Sequence, residues 1–393
     1  MGQRYYSLDV FRGATVALMI LVNNPGSWSH IFPPLDHAVW HGCTPTDLVF
    51  PFFLFAVGNA MAFVMPKFEK EGNAYFLKKA IKRTLLIFLI GLFLNWSPFV
   101  MYENDSLVVK TWTWMNNDGS TSGVRIMGVL QRIALSYFFA ALIIYFLKPK
   151  GAYVAAVFLL LTYWLICWLL GNSADPYSLS GYFGTAIDIN LFGKPHIYKG
   201  EGIPFDPEGL ASTFAAIVQV IIGFFVGQYI QQKGKSYEML STLFIAGTLL
   251  VLIGFCWDMV FPINKKIWTS SYTLYTAGLA TITLALLIFF IEFKKATGIW
   301  SKIFDVFGKN PLLIFVLSGF LPRVLGLIRW VDYVDPNGLK EYTTPFGWFY
   351  NHICKDIVSS DLRFGSLLYA IVMIGFYWSI VFILDKRKIY IKV

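Results

Sequence analysis

The stretch NNPGSWSHIFPPLDHAVWHGCTPTDLVFPFFLFAVGN, residues 23–59, decides the fold class because a polar insert passes directly into a long apolar run. Three of the chain's five histidines, His30, His37 and His41, lie in the insert, and the carboxylate of Asp47 opens the apolar run. Polar side chains at the edge of lipid add nothing to the stability of so apolar a chain. Imidazole, carboxamide and carboxylate groups together therefore indicate proton transfer or substrate binding where a membrane meets water.

Apolar runs continue outward from this stretch along the chain. Hydrophobic residues make up 56% of the 393 residues and charged residues only 14%, and the runs approach the ~20 residues that a helix needs to cross hydrocarbon. The runs are continuous rather than alternating, which predicts helices and not a barrel. We predict an all-α polytopic membrane protein, a single transmembrane domain over residues 1–393 with about ten transmembrane helices. The predicted spans are 8–24, 47–65, 81–97, 127–147, 152–170, 211–231, 239–257, 273–291, 311–328 and 366–384.

The distribution of charge predicts the orientation of these spans. Alternate connections, together with both ends of the chain, carry 20 Lys and Arg against 7 Asp and Glu, whereas the rest of the chain carries 12 against 16. The basic connections are short, as in Lys148-Pro149-Lys150, and short basic loops face the cytoplasm. We therefore expect both termini to be cytoplasmic and long outer loops to form a cap on the other side. The net charge of +9 follows from this bias and indicates no nucleic acid partner. The four cysteines show no metal-like spacing, so we predict no metal site.

The polar insert supplies three candidate catalytic residues, each with a structural alternative. His37 can accept a proton from an amine and return it, or it can simply bond a loop carbonyl at the interface. Asn23 can stabilise an oxyanion, or it can cap the first helix as asparagine commonly does. Asp47 follows Thr44-Pro45-Thr46, so it is a natural helix cap; the sharper alternative is that it orients His37.

Charged residues near the spans supply candidates for binding an anionic substrate. Asp9 and Arg12 share one face of the first helix, where they either pair with each other or hold phosphates through Arg12. Arg132 lies inside the fourth span, and an intramembrane arginine faces the bundle interior or a cavity. Its alternative is an internal salt bridge, for example to Asp47. Lys265 precedes the eighth span and is either part of a turn or a further phosphate contact.

Seven short motifs, in this order along most of the chain, resemble heparan-α-glucosaminide N-acetyltransferase and its bacterial relatives, a family of polytopic transmembrane acyltransferases. The motifs are SLDVFRG at 7–13, VN at 22–23, HAVWHG at 37–42, DLVFPFF at 47–53, GVLQR at 128–132, DPEGL at 206–210 and NKKIW at 264–268.

The resemblance implies transfer of an acetyl group from cytoplasmic acetyl-CoA to an amine of an extracytoplasmic, glucosamine-like sugar. It places the family's active-site histidine on His37 and its partner asparagine on Asn23, and it implies a homodimer. This chain departs from the lysosomal enzyme in lacking the large N-terminal luminal segment and in having His41 where that enzyme has asparagine. We therefore expect a multi-pass protein of the bacterial inner membrane.

Two mechanisms and one different function remain compatible with the residues. The acetyl group can pass directly to the acceptor, or it can first form acetyl-His37. A proton-coupled amino-sugar transporter would use His37 and Asp47 as a proton relay. No internal repeat is visible, which disfavours a transporter built from inverted repeats, so we expect the enzyme.

Overall fold

The computed structural model describes residues 5–391 except 104, 117, 335, 337, 339 and 359. Helices dominate this part of the chain, as predicted. They are α1 (Tyr6–Asn23), α2 (Val49–Glu71), α3 (Asn73–Trp96), α4 (Val129–Leu170), α5 (Gly184–Phe192), α6 (Thr213–Lys233), α7 (Tyr237–Asp258), α8 (Ser270–Ile288), α9 (Ile299–Lys309), α10 (Pro311–Leu325), α11 (Pro345–Phe349), α12 (Lys355–Ile357) and α13 (Leu362–Lys386). Short 3₁₀ turns cover Pro33–Leu35, Pro45–Leu48 and Lys194–His196, and π turns follow α8 and α11 at Phe289–Phe293 and Tyr350–Cys354.

The predicted count of ten spans is not confirmed. Among the described residues, seven helices are long and apolar enough to cross a membrane, or eight if the bent pair α9 and α10 forms one span. Two features explain why fewer than ten helices meet this criterion. The 42-residue α4 counts as one helix, although Lys148 interrupts it with φ 59° and ψ 172°. The interruption occurs because Pro149 lacks the N–H that would continue the helical hydrogen bonds. The first half of α3 carries Lys78, Lys79, Lys82 and Arg83, so its apolar part is short.

Three small antiparallel hairpins correct the prediction of a purely helical chain. They pair β1 (Val100–Glu103) with β2 (Ser106–Val109), β3 (Thr113–Met115) with β4 (Thr121–Gly123), and β5 (Trp330–Val334) with β6 (Lys340–Thr343). The sequence did carry a signal for the second hairpin, since Asp118-Gly119 between short strands is a common hairpin turn. The end of the helix bundle that carries residues 98–126 is called the hairpin end below.

Close helix contacts hold the bundle together and fix the position of the site. α2 packs along α6, and α1 packs on α2, α8, α9, α10 and α13. At the α2–α6 contact, a Cβ added to Gly223 would lie 2.2 Å from the carbonyl oxygen of Phe55. The Gly223 and Gly227 pair of the sixth predicted span therefore serves packing within the chain. α9 and α10 meet at a bend of 78°, where Pro311 starts the second helix.

Candidate functional site

Asp47 is fixed by the turn that leads into α2. Thr44 donates its backbone N–H to Asp47 Oδ2 at 3.0 Å and its hydroxyl to the same oxygen at 3.1 Å, which closes a capping box over Pro45–Leu48. The hydroxyl of Tyr272 donates to the backbone carbonyl of Asp47 at 2.6 Å. Only 1% of the Asp47 side chain is exposed. The predicted capping role is thus present, and it holds the carboxylate in one orientation.

The same carboxylate contacts His37. His37 Nδ1 lies 2.7 Å from Asp47 Oδ1, and the backbone N–H of Ala38 donates to Oδ2 at 3.1 Å. An ionised carboxylate only accepts hydrogen bonds, so this contact fits a proton on Nδ1, and in the neutral imidazole of that tautomer Nε2 carries the lone pair. The His37 side chain is 36% exposed. Of the two interpretations of Asp47, capping and orienting His37, the geometry accommodates both at once.

Lys265 completes this cluster from the far end of the chain. Its Nζ lies 3.0 Å from His37 Nδ1, 3.3 Å from His37 Nε2 and 3.4 Å from Asp47 Oδ1. The Lys265 segment is joined to the polar insert because Gly42 donates its backbone N–H to the carbonyl of Ile263 at 2.7 Å. Burial lowers the pKa of Lys265, and the negative charges of Asp47 and Glu208 partly oppose that shift. We call His37, Asp47 and Lys265 the His–Asp–Lys cluster.

Asn23 lies at the last turn of α1 and is exposed. It lines a cavity of about 250 Å³ at the hairpin end, here called the amide cavity, whose other polar walls come from Asn24, Asn95, Arg125, Gln131, Ser318 and Arg323. Within the described part of the chain, Asn23 forms no hydrogen bond with His37. The capping of α1 is performed by Asn24, whose Nδ2 donates to the carbonyl of Ile20 at 3.0 Å. The side chain of Asn23 is thereby left to face the cavity.

Arg12 and Asp9 lie towards the other end of α1. Arg12 Nη1 lies 3.5 Å from Asp9 Oδ1 and donates to the carbonyl of Gly308 at 3.1 Å. Arg12 also lines a second cavity of about 300 Å³ together with Arg83 and Lys309, and the remaining wall is mostly apolar. We call this the basic cavity. The two interpretations of Arg12, pairing with Asp9 and binding phosphate, are again compatible in one geometry.

The two cavities are stacked between the same helices. Both are lined by α1, α3, α4 and α10, and they share Leu130. Arg12 and Asn23 are eleven residues apart on α1, as are Leu312 and Arg323 on α10. At 1.5 Å per residue, eleven residues span roughly 16 Å of helix. The basic cavity and the amide cavity therefore succeed one another along the bundle axis.

Arg132 is fully buried and lines neither cavity. Its Nη2 donates to the carbonyl of Gly209 at 2.9 Å and contacts the hydroxyl of Ser212. The guanidinium lies 5.2 Å from the centre of the Trp268 ring. The ion pairs of Asp47 are with His37 and Lys265, so the alternative of an Arg132–Asp47 salt bridge does not hold. Arg132 instead joins α4 to the 206–212 segment beside the Trp268 ring.

Sequence reasoning missed an ion cluster that joins the amide cavity to the His–Asp–Lys cluster. Arg125 donates from Nε and Nη2 to the two oxygens of Asp206, at 2.9 and 2.6 Å, and contacts Glu208. Glu208 in turn acts electrostatically on Lys265. In the sequence, Asp206 and Glu208 are visible only as members of the DPEGL motif at 206–210. No sequence signal pairs them with Arg125, because 81 residues separate Arg125 from Asp206.

The sequence was compared with protein families and with known proteins, and both comparisons found similar proteins. Residues 4–174 match the family described as heparan-alpha-glucosaminide N-acetyltransferase, catalytic. The predicted family resemblance is confirmed. The human protein named heparan-alpha-glucosaminide N-acetyltransferase is 26% identical over 370 residues, covering 80% of this chain and 52% of the relative. The mouse protein of the same name is 24% identical over 459 residues, covering 100% of this chain and 61% of the relative.

The chain spans about half to three fifths of the length of these relatives. Most of the candidate site lies inside the matched family segment, namely Asp9, Arg12, Asn23, His37, Asp47 and Arg132. Lys265 lies outside it and reaches the site through the fold. The segment that matches the family therefore includes His37 and the α1 residues Arg12 and Asn23, which line the basic cavity and the amide cavity.

Proposed function

We propose that this protein is a transmembrane N-acetyltransferase that moves an acetyl group from acetyl-CoA to the amino group of a sugar. The observation that carries the proposal is the His–Asp–Lys cluster, in which Asp47 Oδ1 lies 2.7 Å from Nδ1 of His37 and so holds the imidazole in one orientation. Its two central residues lie within the segment that matches the N-acetyltransferase family. The names of the human and mouse relatives support a glucosaminide acceptor.

The proposed chemistry assigns one role to each residue of the cluster. The acceptor nitrogen forms a bond with the thioester carbonyl carbon while Nε2 of His37 accepts the proton that the nitrogen loses. The carbon–sulfur bond then breaks, and the CoA sulfur leaves with the electron pair and takes up a proton as the free thiol. Asp47 keeps the imidazole in one tautomer and stabilises its charged form. Lys265 is proposed to hold the other two residues in place, because its Nζ lies 3.4 Å from Asp47 Oδ1 and 3.0 Å from His37 Nδ1.

The two stacked cavities suggest how the donor reaches the cluster. Arg12, Arg83 and Lys309 would hold the phosphates of CoA, since guanidinium and ammonium groups are the usual phosphate ligands. The apolar wall between Arg12 and the amide cavity suits an extended thioester arm. Asn23 would then face the acetyl end. The charge bias favours a cytoplasmic entrance for the donor, and we extend the proposal to a homodimer in a bacterial inner membrane on the strength of the family resemblance.

The test is an acetyl-transfer assay with purified protein in detergent. Radiolabelled acetyl-CoA is incubated with glucosamine, galactosamine and their methyl glycosides, and both labelled product and free thiol are followed. His37→Ala should reduce turnover by about 10²–10⁴, the usual contribution of a general base. The matched control is His41→Ala, because His41 lies in the same insert but contacts Asn264 at 3.4 Å instead of Asp47. Equal losses in the two variants, or full activity of His37→Ala, would contradict the assignment.

A further inference from the structure

The amide cavity has an unusual lining for a pocket at the edge of a membrane protein. Two guanidinium groups, Arg125 and Arg323, share its wall with the side-chain amides of Asn23 and Gln131. No aspartate or glutamate is among the described residues that line it. Such a lining offers hydrogen-bond donors and positive charge to whatever oxygen enters the cavity.

Gln131 supplies a donor that the protein itself does not use. Its side chain is 1% exposed, and its Nε2 has no hydrogen-bond partner in the described part of the chain. A buried amide that lacks a partner costs about 1–3 kcal/mol. Its Oε1 is packed against α3, where a Cβ added to Gly91 would lie only 2.5 Å away. The Gln131 side chain therefore lines the cavity with little room to move, and its Nε2 is a donor without a partner among the described residues.

The start of α4 adds backbone donors beside Gln131. The N–H of Arg132 is the first to bond within the helix, to the carbonyl of Gly128 at 2.9 Å. The N–H groups of Val129, Leu130 and Gln131 come before it and have no intrahelical acceptor, and no side chain caps this helix start. Gly128, Val129, Leu130 and Gln131 all line the cavity. The positive end of the helix dipole therefore lies at the wall of the cavity.

The two arginines differ in how far their charge is neutralised. Arg125 is paired with Asp206 and Glu208. Arg323 bonds the backbone carbonyl of Leu94 and lies 3.4 Å from the hydroxyl of Ser97, and within the described residues it has no carboxylate partner. The cavity therefore keeps a net positive potential, which favours an oxygen that gains negative charge.

We infer that the amide cavity is the oxyanion site of the proposed acetyl transfer. Gln131 Nε2 and the first-turn N–H groups of α4 donate to the carbonyl oxygen of the donor thioester. When the acceptor nitrogen bonds to the carbonyl carbon, the C=O electron pair moves to this oxygen, and it returns when the carbon–sulfur bond breaks. The hydrogen bonds from these donors are strongest when the thioester oxygen is negative. They therefore lower the barrier to acetyl transfer more than they strengthen the binding of acetyl-CoA in the ground state. The inference rests on the proposed function and adds Gln131 to the residues that contact the reacting group.

The test separates kcat from KM in Gln131→Met, which keeps the length of the side chain and removes the donor. The turnover number should fall by about 10²–10³, the cost of one oxyanion donor, while the KM for acetyl-CoA changes by less than about twofold. Ser136→Ala is the matched control, because Ser136 is a second buried, unpartnered residue of α4 that does not line the cavity. It should retain wild-type turnover.

A second variant tests the same inference without touching Gln131. Gly91→Ala places a methyl group against Oε1 and should displace the amide, with a loss of kcat in the same direction as Gln131→Met. Unchanged kcat in both variants, or a rise in KM at unchanged kcat, would overturn the oxyanion site alone. Absence of acetyl transfer by the wild-type protein would instead overturn the proposed function, and the inference with it.

Discussion

Asp47 performs two tasks at the scale of the single residue. One oxygen closes the turn before α2, and the other contacts His37 and Lys265. The pairing of His37 with Asp47 could be predicted because only ten residues separate them and because Pro45 restricts the turn between them. Lys265 lies 228 residues from His37. Its position depends on the backbone contact between Gly42 and Ile263, which no local pattern in the sequence encodes.

Lys265 should control the pH dependence of turnover. Lys265→Met removes the titratable ammonium group, so its profile should lack any fall of kcat/KM that comes from deprotonation of Lys265. On the alkaline side, burial lowers the pKa of Lys265, so the wild-type profile should fall below the pH at which an ordinary lysine titrates. Lys265→Arg keeps the charge at all accessible pH values and should abolish that alkaline fall. The measurement is kcat/KM from pH 5 to 10, and identical profiles for the three proteins would contradict the role of Lys265.

Cys43 lies next to the cluster and should not be a nucleophile. Burial raises the pKa of its thiol to about 12, with a further contribution from Asp47, and the thiolate is the reactive form. The thiol therefore stays protonated at neutral pH. Cys43→Ser should retain turnover within about twofold, measured in the acetyl-transfer assay. Trapping of labelled acetyl on Cys43 in the wild-type protein would contradict this prediction.

At the scale of the element, helix ends were easier to predict than loops. Pro149 and Pro311 mark a break and a start that the structure contains, because proline acts locally on the backbone. The hairpins near residues 98–126 were missed since long loops were interpreted by length and composition alone. The orientation of Gln131 was also out of reach, because Gly91 on another helix makes room for it.

The α2–α6 contact gives a prediction at this scale. Gly223→Ala would bring a Cβ to 2.2 Å from the carbonyl oxygen of Phe55, a backbone atom that no rotamer change can move. The helices must separate locally, so we expect the free energy of unfolding to fall by about 1–3 kcal/mol. The thermal midpoint in detergent should fall accordingly. Gly375→Ala is the control, since an added Cβ there has no neighbour within 4 Å, and an equal decrease in both variants would contradict close packing at Gly223.

At the scale of the whole molecule, the charge bias predicts which side of the membrane each cavity faces. The basic cavity includes Lys309 and Ile391, which belong to segments we expect on the cytoplasmic side. In a cysteine-free background, Ser29→Cys should react with an impermeant thiol reagent added to intact cells, and Lys388→Cys should not. Both positions are exposed, so accessibility within the protein does not decide the result. The reverse labelling would overturn the predicted topology and the cytoplasmic entrance for the donor.

The described lining of the basic cavity contains none of the residues of the His–Asp–Lys cluster, which predicts that donor binding and acceptor binding can be weakened independently. Arg12 donates to the carbonyl of Gly308 and lies near Asp9, yet it also lines the basic cavity, so a phosphate would gain a charge-assisted contact there. Arg12→Ala should weaken CoA binding by about 1.5–3 kcal/mol, the scale of a hydrogen bond to a charged group. Affinity for the amino sugar should be unchanged, because Arg12 contacts Asp9 and Gly308 and, among the described residues, is bonded to none of the three residues of the His–Asp–Lys cluster.

Isothermal titration of CoA and of the amino sugar against the wild-type protein and Arg12→Ala measures both effects. Lys302→Ala is the matched control, because Lys302 carries the same charge on α9 but is exposed and does not line the basic cavity. A general loss of positive potential would weaken CoA binding in both variants, whereas a specific contact affects Arg12→Ala alone. Normal CoA binding by Arg12→Ala would mean that Arg12 serves only to join α1 to Gly308 and Asp9, and the phosphates would then have to be held by Arg83 and Lys309.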